Sequence, residues 1–160
     1  MKVKFLATSG IIAALYIAVT MLVAPFGFTE VQFRVSEMFN HLVAFNPRFA
    51  IGIIIGVFIS NLSSPLGMYD LVFGVGHSII TLAIFIVVCK FVKNILARLL
   101  INTLLFTCTM FIIAFELNLA LELPFFWTWV TVAAGEFIVL AVGVPIMYTL
   151  NKRLNFKNLI

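Results

Sequence analysis

Polar side chains are scarce in this chain, and those that fall inside or at the edges of apolar stretches are the ones placed to do chemistry. Glu136 lies about ten residues into an apolar run that opens near residue 125. A charged group at mid-bilayer costs about 2.5–3.5 kcal/mol, so an ionisable residue kept there is a functional candidate by default. Its alternative role is a structural hydrogen bond to a neighbouring helix. His77 sits one to two turns into another apolar stretch, below Asp70, and reads either as a ligand contact or as a satisfied packing residue. Asn61 closes one apolar segment and Asp70 opens the next, after Ser63-Ser64-Pro65-Leu66-Gly67. Asp70 could equally cap its helix, stabilised by the helix dipole. Glu30, Arg34, Glu37 and His41 recur at three- and four-residue intervals, which puts them on one face of an α-helix. That stripe is either a self-neutralising, solvated rim with a Glu30–Arg34 pair, or the lining of an aqueous cavity in which Arg34 and Glu37 meet a ligand. Trp127, with Phe26, Phe28, Tyr69 and Trp129, falls near the same end. These rings form either an interfacial belt or the wall of a pocket for a flat ligand.

The chemistry these residues offer is recognition. Carboxylates accept hydrogen bonds, and guanidinium, amide and imidazole groups donate them. No nucleophile, base or metal set of a catalytic site is present, nor a glycine-rich phosphate loop. Cys89 and Cys108 lack metal-ligand spacing. The chain is therefore expected to be no enzyme, to need no cofactor or metal, and to bind no nucleic acid.

The elements that must hold these groups are membrane helices. The chain of 160 residues is 64% hydrophobic and only 10% charged, with 18 Phe. A soluble domain carries about a quarter charged residues, so there is too little polar surface here to coat a water-soluble globule. Segments 5–24, 68–92, 96–115 and 125–150 are long enough to cross a bilayer, which takes about 20 apolar residues. The first is preceded by Lys2 and Lys4 but has no convincing cleavage site, and reads as a retained helix. Two shorter helices are expected at about 30–45 and 47–62. Thr29 with Gln32 reads as a capping box, and Asn46-Pro47 as an N-cap followed by proline in the first turn. At 1.5 Å per residue each reaches roughly 24 Å, short of a full crossing or re-entrant.

Charge decides the topology. With six crossings, every basic residue except Arg34 falls on the side of the two termini, while Glu30, Glu37, Asp70, Glu116 and Glu122 fall on the other. The expected fold is an all-α, single-domain, multi-pass bundle of six transmembrane helices in the cell membrane, with both termini cytoplasmic. The polar candidates then gather in the outer half, and the inner half has almost none. A channel needs polar lining through its full depth; an outward cup closed at its inner end suits capture. Small residues recur every four positions at Gly10, Ala14 and Ala18, and again at Gly52, Gly56 and Ser60. Such ridges let helices approach closely in lipid, within the bundle or against another subunit.

Ala14-Leu15-Tyr16-Ile17-Ala18 in a chain of this size with six short-looped helices resembles the substrate-binding S components of energy-coupling-factor transporters. The stretches Val31-Gln32-Phe33-Arg34-Val35-Ser36-Glu37 and Ser60-Asn61-Leu62-Ser63-Ser64-Pro65-Leu66-Gly67-Met68-Tyr69-Asp70-Leu71-Val72-Phe73-Gly74 are similar to signatures of the QueT group, associated with uptake of queuosine precursors. The resemblance implies a membrane scaffold subunit and two cytoplasmic ATPases as partners, with the Gly10, Ala14 and Ala18 ridge docking on the scaffold. It also implies a small-molecule substrate, a 7-deazaguanine. The guanine edge of such a ligand suits a carboxylate, from Glu136, Glu37 or Asp70. Its acceptors suit Arg34, Asn61 or His77, its plane suits stacking on rings such as Trp127, and a cationic aminomethyl group would want a second carboxylate. Other flat, polar vitamins would fit the same inventory.

Overall fold

A chain this apolar has to satisfy its backbone hydrogen bonds within its own segments, and in lipid a helix does so. The computed structural model describes residues 2–24 and 33–159, and within these residues every regular element is helical. Helix α1 spans Lys2–Leu22. A 3-10 helix follows at Val35–Ala44, then α2 at Phe49–Asn61. A π-helical turn, Asp70–Gly74, leads into α3 at Val75–Phe91. Helices α4 (Ile95–Thr109), α5 (Phe111–Leu121) and α6 (Phe125–Leu154) complete the bundle. The stretches Val3–Leu22, Asp70–Phe91, Ile95–Leu121 and Phe125–Leu154 are each long and apolar enough to cross a membrane, and α2 is a shorter apolar helix. Large apolar side chains such as Leu6, Ile11, Phe58, Ile80, Phe115 and Val142 face outward, a surface that lipid, not water, solvates. The chain is a multi-pass membrane protein.

The two short segments differ from the expectation in an instructive way. The segment expected as a helix at about 30–45 is a 3-10 helix from Val35; the Thr29–Gln32 capping box and Glu30 lie outside the described residues. A 3-10 helix rises about 2.0 Å per residue, so ten residues reach as far as about thirteen in an α-helix. It has three residues per turn, so residues three apart eclipse one another. Glu37 and Asn40 therefore stack beneath Arg34, and His41 turns to a different face. At the start of α2 the N-cap falls at Arg48, with no side-chain cap, and not at the expected Asn46, so Pro47 stands in the turn before the helix. The Asn46 side chain accepts from the Arg48 amide at 3.1 Å, and the chain winds through three-residue turns before the α-helix opens at Phe49.

The Gly52, Gly56 and Ser60 ridge packs inside the bundle, against α1. A Cβ on Gly52 would lie 2.7 Å from the Ser9 carbonyl oxygen, and one on Gly56 would lie 2.7 Å from Tyr16 Cβ. Such close approach of backbones replaces the hydrophobic effect as the source of helix association in lipid. Gly52→Ala is expected to force the two helices apart and cost about 1–3 kcal/mol. Thermal unfolding in detergent measures it; an unshifted transition would show that the contact does not bear on stability. The other ridge, Gly10, Ala14 and Ala18, is exposed on the opposite face of α1, and a Cβ on Gly10 would meet nothing within 4 Å.

Both ends of the described chain meet at one end of the bundle. Lys4 donates to the Asn158 carbonyl at 2.8 Å and Thr8 to that of Leu159 at 3.0 Å. Phe156 packs at a tilt against Phe45 and edge-on against Phe49. Arg98 draws two helix ends together, donating to Val92, Cys89 and Ala44 carbonyls at 2.6–2.9 Å. Those carbonyls close α3 and the 3-10 helix, where unpaired acceptors and the dipole favour a cation. Above this end, Leu42, Phe49, Ile53, Leu82, Phe85, Leu99, Phe106 and Leu140 form a fully buried apolar plug.

The segment expected at 96–115 runs on to Leu121 with a break at Met110. Thr109 supplies a local cause: its hydroxyl bonds back to the Leu105 and Phe106 carbonyls at 2.9 and 3.1 Å, which bends helices. The continuation brings Glu116, expected on the solvated outer side, fully inside the bundle.

Candidate functional site

Four of the six acidic residues, Glu37, Asp70, Glu116 and Glu136, are buried in the half of the bundle away from the termini. Arg34 is buried among them. Its guanidinium donates to Asp70 Oδ1 at 2.6 Å in a salt bridge; the expected pairing with Glu30 involves a residue outside the described ones.

Asp70 is held from several sides, so its role exceeds that of a helix cap. Ser64 Oγ donates to its other oxygen, and Asn61 Nδ2 donates to its backbone carbonyl at 2.9 Å. That carbonyl belongs to the π-turn, where the helical ladder is shifted by one residue; such turns are frequent at functional sites. Gly74 closes the turn because nothing larger fits. A Cβ there would lie 2.5 Å from Asn61 Nδ2 and 3.4 Å from an Arg34 nitrogen. Asn61 thus braces the turn that presents Asp70 to Arg34.

Glu37 is also saturated. Tyr16 Oη donates to Oε1 at 2.6 Å and Asn40 Nδ2 donates to Oε2. Thr20 of α1 donates to Ser36 Oγ at 2.7 Å, fixing the 3-10 helix beside α1. His77 Nε2 lies 2.9 Å from the Thr109 hydroxyl, which also meets Thr81, and the imidazole packs edge-on against Phe106.

Glu136 is different. It is 1% exposed, and its Oε1 has no hydrogen-bond partner among the described residues. A buried acceptor left unmatched costs about 1–3 kcal/mol, and such an orphan in a native fold calls for an explanation. Glu116 carries a similar cost. Its carboxyl stands beside that of Asp70, with neither oxygen in a well-formed hydrogen bond among the described residues.

Arg34, Glu37, His77 and Glu136, with Met110 and Ile113, line a small, narrow cavity of about 10 Å³. That is room for one water at most. Asp70 and Asn61 stand immediately behind this lining, through their bonds to Arg34 and to the π-turn. Trp127 is placed elsewhere: it is 71% exposed on the outer surface of α6, and Tyr69 is also exposed. A larger apolar groove of about 450 Å³, lined by Val72, Phe73, Ile80, Phe111, Phe115 and Phe125, lies between α3 and α5; no ionisable side chain lines it.

The sequence reading misplaced two groups. Glu116 sits one turn beyond Ile113 on α5, so its spacing from a lining residue would have marked it had the helix been extended past 115. His41, placed by α-helical spacing on the Arg34 face, points instead into the inner half. Asn102 donates to its Nδ1 at 3.1 Å, which leaves Nε2 to donate to the Leu140 carbonyl at 3.0 Å. Gly143 makes room for that imidazole, since a Cβ there would lie 3.1 Å from its ring.

Residues 6–152 match the family model described as QueT transporter. The chain belongs to the QueT transporter family. A relative from Lactococcus lactis subsp. cremoris (strain MG1363), named queuosine precursor transporter QueT, is 34% identical over 165 residues, covering 98% of this chain and 97% of the relative. No solved structure matches the chain. As a member of the QueT family the chain is a membrane transport protein and not an enzyme.

Proposed function

We propose that this QueT-family chain is the substrate-capture subunit of an ATP-driven energy-coupling-factor importer. In this reading it takes up a queuosine precursor, a 7-deazaguanine, into the chamber bounded by Arg34, Glu37, His77 and Glu136. The observation that carries the reading is Glu136: a carboxyl buried with an open acceptor, facing a cavity shared with a guanidinium, an imidazole and a second carboxyl. A guanine edge presents adjacent N–H donors that satisfy such a carboxylate, and its acceptors suit Arg34 and His77. The apolar plug between this chamber and the basic end supports capture over conduction. The cavity is too small for a purine-sized ring, so binding goes with an outward shift of the elements around it. The break at Met110 allows α5 to move separately from α4.

The basic end, with Lys4, Arg98 and Lys157 gathered around both chain ends, is placed in the cytoplasm by the positive-inside rule. Six crossings follow, with the 3-10 helix and α2 as the two short ones. The exposed Gly10, Ala14 and Ala18 face is assigned to the membrane scaffold subunit, which couples the chain to two cytoplasmic ATPases.

Mass spectrometry of the small molecule that co-purifies with the chain tests the substrate. A 7-deazaguanine is expected; a different ring system would assign another cargo, and transport without any ATPase partner would remove the importer reading. Ala14→Leu is expected to leave ligand affinity unchanged and to abolish co-purification with the scaffold. Normal assembly of that variant would show that another face docks.

A further inference from the structure

A buried polar network lies in the inner half of the bundle, apart from the chamber lining. His41 and Asn102 are both 0% exposed, at the level of the apolar plug. Asn102 of α4 donates to the imidazole Nδ1 at 3.1 Å, and Nε2 donates to the Leu140 carbonyl of α6 at 3.0 Å. Such bonds add little to stability. Replacing both partners of a buried hydrogen bond by apolar groups of the same shape is nearly neutral, and apolar side chains would suit the plug. What the bonds add is direction: a satisfied buried network fixes one arrangement of the elements that carry it.

Those elements are the ones that build the chamber. The 3-10 helix carries Glu37 and follows directly on Arg34, α6 carries Glu136, and α4 ends against Met110. His41 lies four residues inward from Glu37, about 8 Å at 2.0 Å per residue. Leu140 lies four residues inward from Glu136, about 6 Å at 1.5 Å per residue. The 3-10 helix and α6 both run from the chamber toward the basic end, so the bond joins them just below the two carboxyls. Asn102 ties α4 to the same point, about two turns before Met110. The 3-10 helix packs more extensively on α6 than on any other element. Gly143 sets how closely they approach: a Cβ there would lie 3.1 Å from the imidazole and 3.0 Å from Met38 Cβ.

We propose that His41 is a positioning residue for the ligand. Bonded to Leu140 and oriented by Asn102, it sets the distance between the wall carrying Arg34 and Glu37 and the wall carrying Glu136. It touches no ligand itself. A flat ring held between those walls depends on that distance, because its hydrogen bonds need donor–acceptor separations of about 2.7–3.2 Å. That role rests on the 7-deazaguanine reading above and extends the site to a clamp in the inner half.

Affinity for 7-aminomethyl-7-deazaguanine, measured calorimetrically on the purified full chain, is compared with thermal unfolding of the ligand-free protein in detergent. His41→Phe fills the space but donates nothing, and is expected to weaken binding at least tenfold. His41→Gln can place an amide N–H on the Leu140 carbonyl, and its affinity is expected to change less than threefold. Combining His41→Phe with Asn102→Leu removes both polar side chains. That double variant is expected to unfold no earlier than the wild type, yet to bind at least tenfold more weakly. Gly143→Ala keeps every hydrogen-bonding group but pushes the 3-10 helix off α6, and is expected to weaken binding by a similar factor. A double variant that binds as the wild type does would overturn the proposal, because the clamp would then serve stability alone. A His41→Gln protein as weak as His41→Phe, or a Gly143→Ala protein of wild-type affinity, would overturn it as well. Those outcomes leave the substrate reading standing. Failure of the wild type to bind the compound would overturn the 7-deazaguanine reading itself, and the positioning role with it.

Discussion

Arg34→Ala should lower the stability of the folded chain by about 3–5 kcal/mol, the cost of leaving a buried charge without its partner. Asp70 has no exposure to solvent, and the guanidinium at 2.6 Å is its charged partner. The Ser64 hydroxyl and the π-turn brace remain after the substitution, but neither carries charge. The loss also reaches the chamber, because Arg34 lines the cavity beside Glu37 and Glu136. Thermal unfolding in detergent, read together with yield of monodisperse protein, measures the effect. Arg34→Ala combined with Asp70→Asn should recover much of the stability without restoring ligand binding, since the second change removes the stranded charge but not the missing donor. A single variant as stable as the wild type would show that Asp70 finds its balance elsewhere.

Glu136→Gln should behave in the opposite sense toward stability. The wild-type carboxyl is buried with an open acceptor in the ligand-free chain; the amide keeps one acceptor and adds two donors but can carry no buried charge. The ligand-free variant is therefore expected to unfold at the same temperature or higher, the usual trade between stability and function at a binding site. Ligand affinity should fall at least tenfold, about 1.4 kcal/mol or more, because a charge-assisted hydrogen bond to the ring edge becomes a neutral one and one of its acceptors becomes a donor. Calorimetric titration measures the affinity; an unchanged value removes Glu136 from the binding site.

The long spans were legible in the sequence because lipid imposes a length and an apolar composition that few other constraints mimic. The segments 5–24, 68–92 and 125–150 correspond closely to α1, the π-turn with α3, and α6. The polar residues buried in the bundle were legible for the same reason. Arg34, Glu37, His77 and Glu136 stand out because their cost in an apolar setting is large, and the fold gathers all of them around one cavity. What the sequence obscured was local winding. Nothing in Val35–Ala44 distinguishes a 3-10 helix from an α-helix before its side-chain partners are known, and the change from 3.6 to three residues per turn is what sends His41 away from Arg34 and toward Asn102. The boundary at 115 failed similarly. Glu116 reads as the end of an apolar run, and only the neighbouring Asp70 and the bend at Met110 show that the helix continues inward. Trp127 illustrates the converse: an aromatic ring near the outer end serves a pocket or an interface equally well on paper, and here it projects from the bundle.

Solving the chain with a bound 7-deazaguanine would probe the account at its root. Ring density lying against the Glu136 carboxyl, flanked by Arg34 and His77 and stopping above Phe85 and Phe106, is the expected result. Ring density seated in the apolar groove between Phe73 and Phe115, or a file of ordered water running from Glu136 past Leu99 to Arg98, would contradict it.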